Sequence, residues 1–115
     1  MAVTEMTPVK GEVNKVTKFA FEAASAAADG MRFTLPKITE EYVVVLVQNT
    51  GASAYDITVK APVSGSYAAA SGDLTHNLAA GEFAVFRFES AKWANRDGTI
   101  LLVPGNAAVK AVVLY

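Results

Sequence analysis

The sequence predicts an all-β domain, and three observations support this. Its apolar segments are short and rich in Val, Phe and Tyr, and clusters of Gly, Asn, Asp, Ser and Pro separate them. With 115 residues, 52% of them hydrophobic, the chain can bury one core without the disulfides that its zero cysteines exclude. We therefore expect one β-sandwich of about seven to eight antiparallel strands over residues 16–115. Residues 1–15 show no sustained alternation and are predicted to form an N-terminal arm.

The most regular strand is predicted over residues 55–60, where apolar odd-numbered positions alternate with polar even-numbered ones. Residues 42–47 are apolar on both faces, as expected of a central strand that is covered on each side. Residues 49–53, NTGAS, supply turn chemistry between the two. These segments are therefore predicted to form a hairpin.

Further short segments have strand composition and are bounded by turn residues. They cover residues 16–21, 31–35, 73–77, 82–88, 99–103 and 109–115. The segment 82–88 is apolar on both faces, so one face could meet another subunit. We expect instead that this strand lies between two packed layers.

Two stretches do not have strand character. Residues 22–28, EAASAAA, have high helix propensity but are too short for an independent helix, so a loop with one helical turn is expected. Residues 90–95, SAKWAN, are predicted to form another single turn, which Trp93 anchors through its large apolar area.

Charge and hydropathy exclude two classes of partner. The chain carries 10 basic and 11 acidic side chains without a basic cluster, which argues against nucleic acid. Its apolar runs are much shorter than a membrane-spanning helix requires. Charged residues and a proline interrupt the first 15 positions where a signal peptide needs an apolar stretch, so we expect synthesis in the cytoplasm.

Few residues have the spacing that catalysis or metal binding requires. His76 is the single histidine and cysteine is absent, which disfavours a zinc site. Ser71, Asp73 and His76 suggest a catalytic triad, but residues three apart on a strand face opposite sides and no nucleophile motif surrounds the serine. The neighbours Glu40 and Glu41 likewise point to opposite faces. We predict no catalytic residue, no metal, no cofactor and no enzymatic activity.

Three stretches of the sequence carry a resemblance to a known family: YVVVLVQNTGASAYDITVKAP, DLTHNLAAGEFAVFRFESAKWANRDGTILLV and AVKAVVLY. In these stretches the sequence resembles a family of small virion proteins of tailed bacteriophages, the head auxiliary or decoration proteins. Within them, the similar features are the turn 49–51, the strand 57–59, the turn 80–81, the Phe-rich strand 83–88, Trp93 and the turn 97–98. An Ala-rich stretch at 23–30 followed by Phe33 is also similar. The resemblance covers about four-fifths of the chain, in turns and core positions that other β-modules share.

This resemblance implies an immunoglobulin-like β-sandwich that is not an enzyme and binds the outer surface of an assembled phage head. It implies the major capsid protein as partner, self-association as a trimer or symmetric cluster, a virion location on the capsid exterior, and assembly in the host cytoplasm. A protein that binds only the assembled shell stabilises it by mass action.

Candidate contact residues follow from the arm, the Ala-rich loop and one aromatic residue outside regular alternation. They are Val3, Met6, Pro8, Val9 and Val13 in the arm, Ala24, Ala26 and Ala27 in the loop, and Tyr67. Two alternatives remain, the first of which would share the fold and composition. One is a tail or neck protein of the virion; the other is an adhesion or carbohydrate-binding module, for which the sequence shows neither a row of exposed aromatics nor a calcium-binding carboxylate cluster.

Overall fold

A computed structural model describes residues 3–35, 43–61, 72–87 and 93–115. These residues contain eight strands. They are β1 (Thr4–Glu5), β2 (Met31–Thr34), β3 (Val44–Asn49), β4 (Tyr55–Val59), β5 (Leu74–Leu78), β6 (Phe83–Phe86), β7 (Thr99–Pro104) and β8 (Val109–Leu114). A 3-10 helix, Ala27–Asp29, precedes β2.

The strands form two sheets that pack face to face as a β-sandwich. The five-stranded sheet has the order β1-β2-β7-β4-β5, and the three-stranded sheet has the order β6-β3-β8. All neighbouring strands are antiparallel except β1 and β2, which are parallel. The predicted all-β sandwich is therefore confirmed.

The core lies between the sheets and follows the two-residue period of the strands. Alternate residues are buried in β2, β3, β4 and β7, because successive side chains of a strand point to opposite faces. The fully buried side chains include Phe33, Val45, Ile100 and Leu102. As predicted, Ile57 and Val59 of β4 point into this core.

The predicted hairpin between residues 42–47 and 55–60 is wrong. Strand β3 pairs with β6 and β8, whereas β4 pairs with β5 and β7 in the other sheet. Residues 50–54 therefore cross between the sheets. Alternation indicates which residues are buried, but both sheets bury the same kind of side chain, so it does not determine the sheet to which a strand belongs. Residue 42 lies outside the described residues.

The predicted strand over residues 16–21 is also wrong, since no ladder forms there and residues 11–20 are exposed. Earlier residues pair instead. Strand β1 adds to β2, and Val9 forms a parallel bridge with Leu114. Residues 4–9 of the predicted arm thus lie against the edges of the sandwich.

The Ala-rich stretch is a loop that ends in one short helical turn, as expected, and Gly30 terminates it. Trp93 is buried, and its ring packs edge-on against Phe86 with the centroids 5.8 Å apart. This agrees with its expected anchoring role, although residues 90–92 of the predicted turn lie outside the described part of the chain. The other predicted strands coincide with β2 and β5–β8 to within about two residues.

Candidate docking surface

Strand β6 presents large apolar side chains to solvent. Phe83 and Val85 are 67% and 60% exposed on its outer face, while Ala84 and Phe86 on its inner face are half-buried. The expectation of a strand between two packed layers is therefore wrong. The two apolar faces predicted from the sequence are present, but the outer face is not covered.

Two further phenylalanines extend this surface. The Phe21 ring lies 6.2 Å from that of Phe83, and the Phe19 ring lies 6.1 Å from that of Phe21. We call Phe19, Phe21, Phe83 and Val85 the aromatic patch. Monomeric proteins rarely leave contiguous apolar area of this kind in water, and such patches commonly mark interaction sites.

The backbone of β6 adds a second property to this surface. Among the described strands, β6 has a partner on one side only, since it ends the order β6-β3-β8. Its four residues, Phe83–Phe86, carry no charge. Proteins usually protect edge strands with charged residues or proline, so an uncharged apolar edge is suited to pairing with another chain.

The opposite edge of the same sheet is covered. The Val9 amide donates to the Val113 carbonyl at 2.8 Å, and the Tyr115 amide donates to the Val9 carbonyl at 3.0 Å. Glu22 and Ala111 exchange a pair of backbone bonds at 2.8 and 2.9 Å. The N-terminal region thus protects β8, whereas no described strand pairs with the outer edge of β6.

A cavity of about 260 Å³ opens between the sheets beside β5 and β6. Its walls are apolar apart from His76, and they include Val47, Ile57, Leu74, Ala84 and Phe86. Leu74 and His76 lie opposite Val59 and Ile57 and face the interior, yet both are exposed. The five-stranded sheet therefore extends beyond the three-stranded one at this side.

Of the residues considered for catalysis, the structure describes Asp73 and His76. Asp73 accepts hydrogen bonds from Lys60 Nζ at 2.6 Å and from the Ala61 amide at 2.8 Å. His76 lies further along β5, while Ser71, Glu40 and Glu41 lie outside the described residues. Where the structure describes the chain, no three His, Cys, Asp or Glu side chains form a cluster that could hold a metal ion. In the same residues, no helix has the length and hydropathy needed to cross a membrane.

The Asp73 contacts predict a pH dependence of stability. The Lys60 ammonium and the Ala61 amide hold the pKa of Asp73 below its ordinary value of 3.8. This carboxylate therefore stabilises the fold above pH 3.8, and the contribution is lost as the pH falls through the lower folded-state pKa. We expect Asp73→Asn to show a smaller loss of stability on acidification than the wild type in urea titrations from pH 6 to pH 2.5. An unchanged loss would show that this contact does not contribute.

The predicted contact residues occupy different environments. Met6 and Ala24 are in the core, which removes both from any contact surface. Val3, Pro8, Val9, Ala26 and Ala27 are half-buried, Val13 is exposed, and Tyr67 lies outside the described residues. The candidate contact residues chosen from the sequence did not include Phe19, Phe21 or Phe83 of the aromatic patch. The signal for Phe83 was the second apolar face of its strand.

Comparison with known proteins gives no match: no protein-family model fits the sequence, and no curated protein or solved structure is significantly similar to the chain.

Proposed function

We propose that this protein is a non-enzymatic structural component of a tailed-phage virion that decorates the outside of the head. The aromatic patch is the observation that carries this proposal on the structural side, because it offers uncharged apolar area beside a strand edge with which no other described strand pairs. The sequence resemblance supplies the identity of the partner, the major capsid protein.

Docking through this patch would be driven by the hydrophobic effect. Burying Phe83 and Val85 against a shell contributes about 3–5 kcal/mol per copy. Such binding depends little on ionic strength, since the four residues of β6 carry no charge. Because the shell repeats the same surface many times, each occupied site favours the assembled state by mass action.

Cosedimentation with empty, expanded heads of the phage's own major capsid protein tests the proposal. We expect saturable binding of the wild type, and a loss of affinity of at least about tenfold for the double variant Phe83→Ser, Val85→Ser. Both side chains are exposed, so folding should survive the change, and a urea titration followed by Trp93 fluorescence verifies this. Deleting residues 1–15 is a poorer test, because Met6 belongs to the core.

Leu74→Ser is the control for a general loss of exposed apolar area, because Leu74 lies on β5 in the other sheet and lines the cavity, away from the outer face of β6. We expect it to bind heads like the wild type. Equal binding by the patch variant and the wild type would overturn the assignment of the docking surface. A wild type that binds no head, expanded or unexpanded, would overturn the decoration role, and binding to purified tails would favour the tail or neck alternative.

The carbohydrate-binding alternative receives less support. Phe19, Phe21 and Phe83 are adjacent, but their rings are tilted by 69° and 55° relative to their neighbours. They do not form the flat platform on which a sugar ring stacks.

A further inference from the structure

Residues 3–11, which we call the N-terminal segment, are held mainly by strand edges. The Thr4 amide donates to the Gly30 carbonyl at 3.1 Å and the Met6 amide to the Arg32 carbonyl at 2.8 Å, both in the five-stranded sheet. The segment then reaches the three-stranded sheet, where it bonds along β8 through Val9 and Gly11. It therefore spans both sheets along one side of the sandwich.

Side chains of the N-terminal segment make specific contacts with the residues around them. Met6 is buried in the core, the Glu5 carboxylate accepts from Arg32 Nε at 2.8 Å, and the Thr4 hydroxyl accepts from the Ser25 amide at 2.8 Å. These contacts join the segment to residues far along the chain. A copy of the same segment from another molecule would make every one of them.

Residues 12–20, which we call the tether, connect the segment to the rest of the chain and are exposed throughout. Extended at about 3.3 Å per residue, the tether could span about 30 Å. It leaves Val13 86% and Val16 94% exposed. These are the most exposed large apolar side chains of the described residues.

The tether also has a strand-forming sequence without a strand. Val16, Thr17 and Phe19 favour extended, paired backbone, which is why a strand was expected there. In the described part of this chain, no strand pairs with residues 12–20. The preference of the tether residues for a paired strand is therefore not met by the described part of the monomer.

We propose that two copies of this chain exchange their N-terminal segments. Each segment occupies the acceptor edges of the other copy, and the two tethers run antiparallel beside each other. The segment makes the same contacts in the monomer and the dimer. The tether therefore determines the equilibrium between the monomer and the exchanged dimer. Pairing of the tethers buries Val13 and Val16 and provides the missing strand partner. The exchange involves the protein alone and does not depend on the head-decoration role.

Engineered cysteines distinguish exchange from other self-association, and the chain has none of its own. Glu5 and Arg32 are directly opposite in the parallel register of β1 and β2, and their side chains share a face. Glu5→Cys and Arg32→Cys variants are unfolded, mixed, refolded together at high concentration and oxidised. Exchange predicts an interchain disulfide in about half of the dimers on a non-reducing gel, because half of random dimers contain both variants.

Thr58→Cys mixed with Thr75→Cys is the matched control. These residues are also directly opposite, with their hydroxyl oxygens 2.9 Å apart, but they lie on β4 and β5, which do not exchange. We expect no interchain disulfide in this mixture above the background of each variant alone. A protein that light scattering shows to be monomeric, or a dimer whose Glu5/Arg32 mixture cross-links no more than the control, would overturn the proposal.

The tether provides a second, independent measurement. Val13→Ser with Val16→Ser should weaken the dimer by about tenfold or more, since both side chains are buried only after exchange. Their exposure in the monomer means that the monomer's urea midpoint should not change. An unaltered dimerisation constant would contradict the driving force that we assign to the tether.

Discussion

Replacing Gly30 with alanine is expected to lower the free energy of unfolding by about 4 kcal/mol. Gly30 ends the 3-10 helix with φ 79° and ψ −174°, a region of backbone space that is essentially restricted to glycine. A Cβ at this position would lie 2.6 Å from the Leu102 carbonyl oxygen and 3.1 Å from a Leu101 methyl carbon. Backbone strain and a clash with a buried strand therefore add together.

Hydrogen bonds on both sides of Gly30 oppose a backbone shift that would relieve this clash. Its amide donates to the Ala27 carbonyl at 3.1 Å, and its carbonyl accepts from the Thr4 amide at 3.1 Å. The residue thus joins the helical turn to β1. Any shift that removes the Cβ clash breaks a bond to at least one of them.

Substitutions at two other glycines separate the contribution of backbone strain from that of the steric clash at Gly30. Gly81 has the same φ of 79°, but a Cβ there meets nothing within 4 Å. Gly81→Ala should therefore lower the free energy of unfolding by only about 1 kcal/mol. Gly72 has neither a positive φ nor a close neighbour, and Gly72→Ala should be near neutral. Urea titrations followed by the fluorescence of Trp93, the single tryptophan, measure all three. Equal costs for Gly30→Ala and Gly81→Ala would show that the Leu102 contact is relieved without penalty.

The sequence was sufficient to predict which side chains are buried where the pattern within one strand determines this. Ile57 and Val59 alternate with polar neighbours, and the period of two was enough to place them in the core. It failed for the pairing of β3 with β4. That outcome depends on β6, β7 and β8, which compete for the same edges from far along the chain.

The candidate docking surface was predictable only in part. The sequence shows that residues 83–86 are apolar on both faces, but whether the outer face is covered depends on what packs over it. Residues 16–21 show the opposite case: their side chains favour a strand, but no strand in the described ranges pairs with them. Local preference identifies what a segment can form, and tertiary partners decide whether it forms.

Asn49→Ala is expected to lower the free energy of unfolding by about 3 kcal/mol. Asn49 is a fully buried polar residue at the end of β3. Its Nδ2 donates to the carbonyls of Ser53 at 2.8 Å and Leu78 at 3.0 Å, and its Oδ1 accepts from the Gly51 amide at 2.9 Å. The side chain therefore joins the three-stranded sheet to the crossing segment and to the end of β5.

Alanine would leave two carbonyls and one amide without these partners, and each unsatisfied buried group costs about 1–3 kcal/mol before water or backbone relaxation recovers part of it. Asn49→Asp should be at least as harmful, because it places a carboxylate oxygen against the Ser53 and Leu78 carbonyls. Asn77→Ala is the control: its amide donates to the Asp56 carboxylate at 2.9 Å on the exposed face of the five-stranded sheet. We expect that change to cost less than about 1 kcal/mol. If the two alanine variants have equal urea midpoints, the amide of Asn49 does not hold the crossing between the sheets.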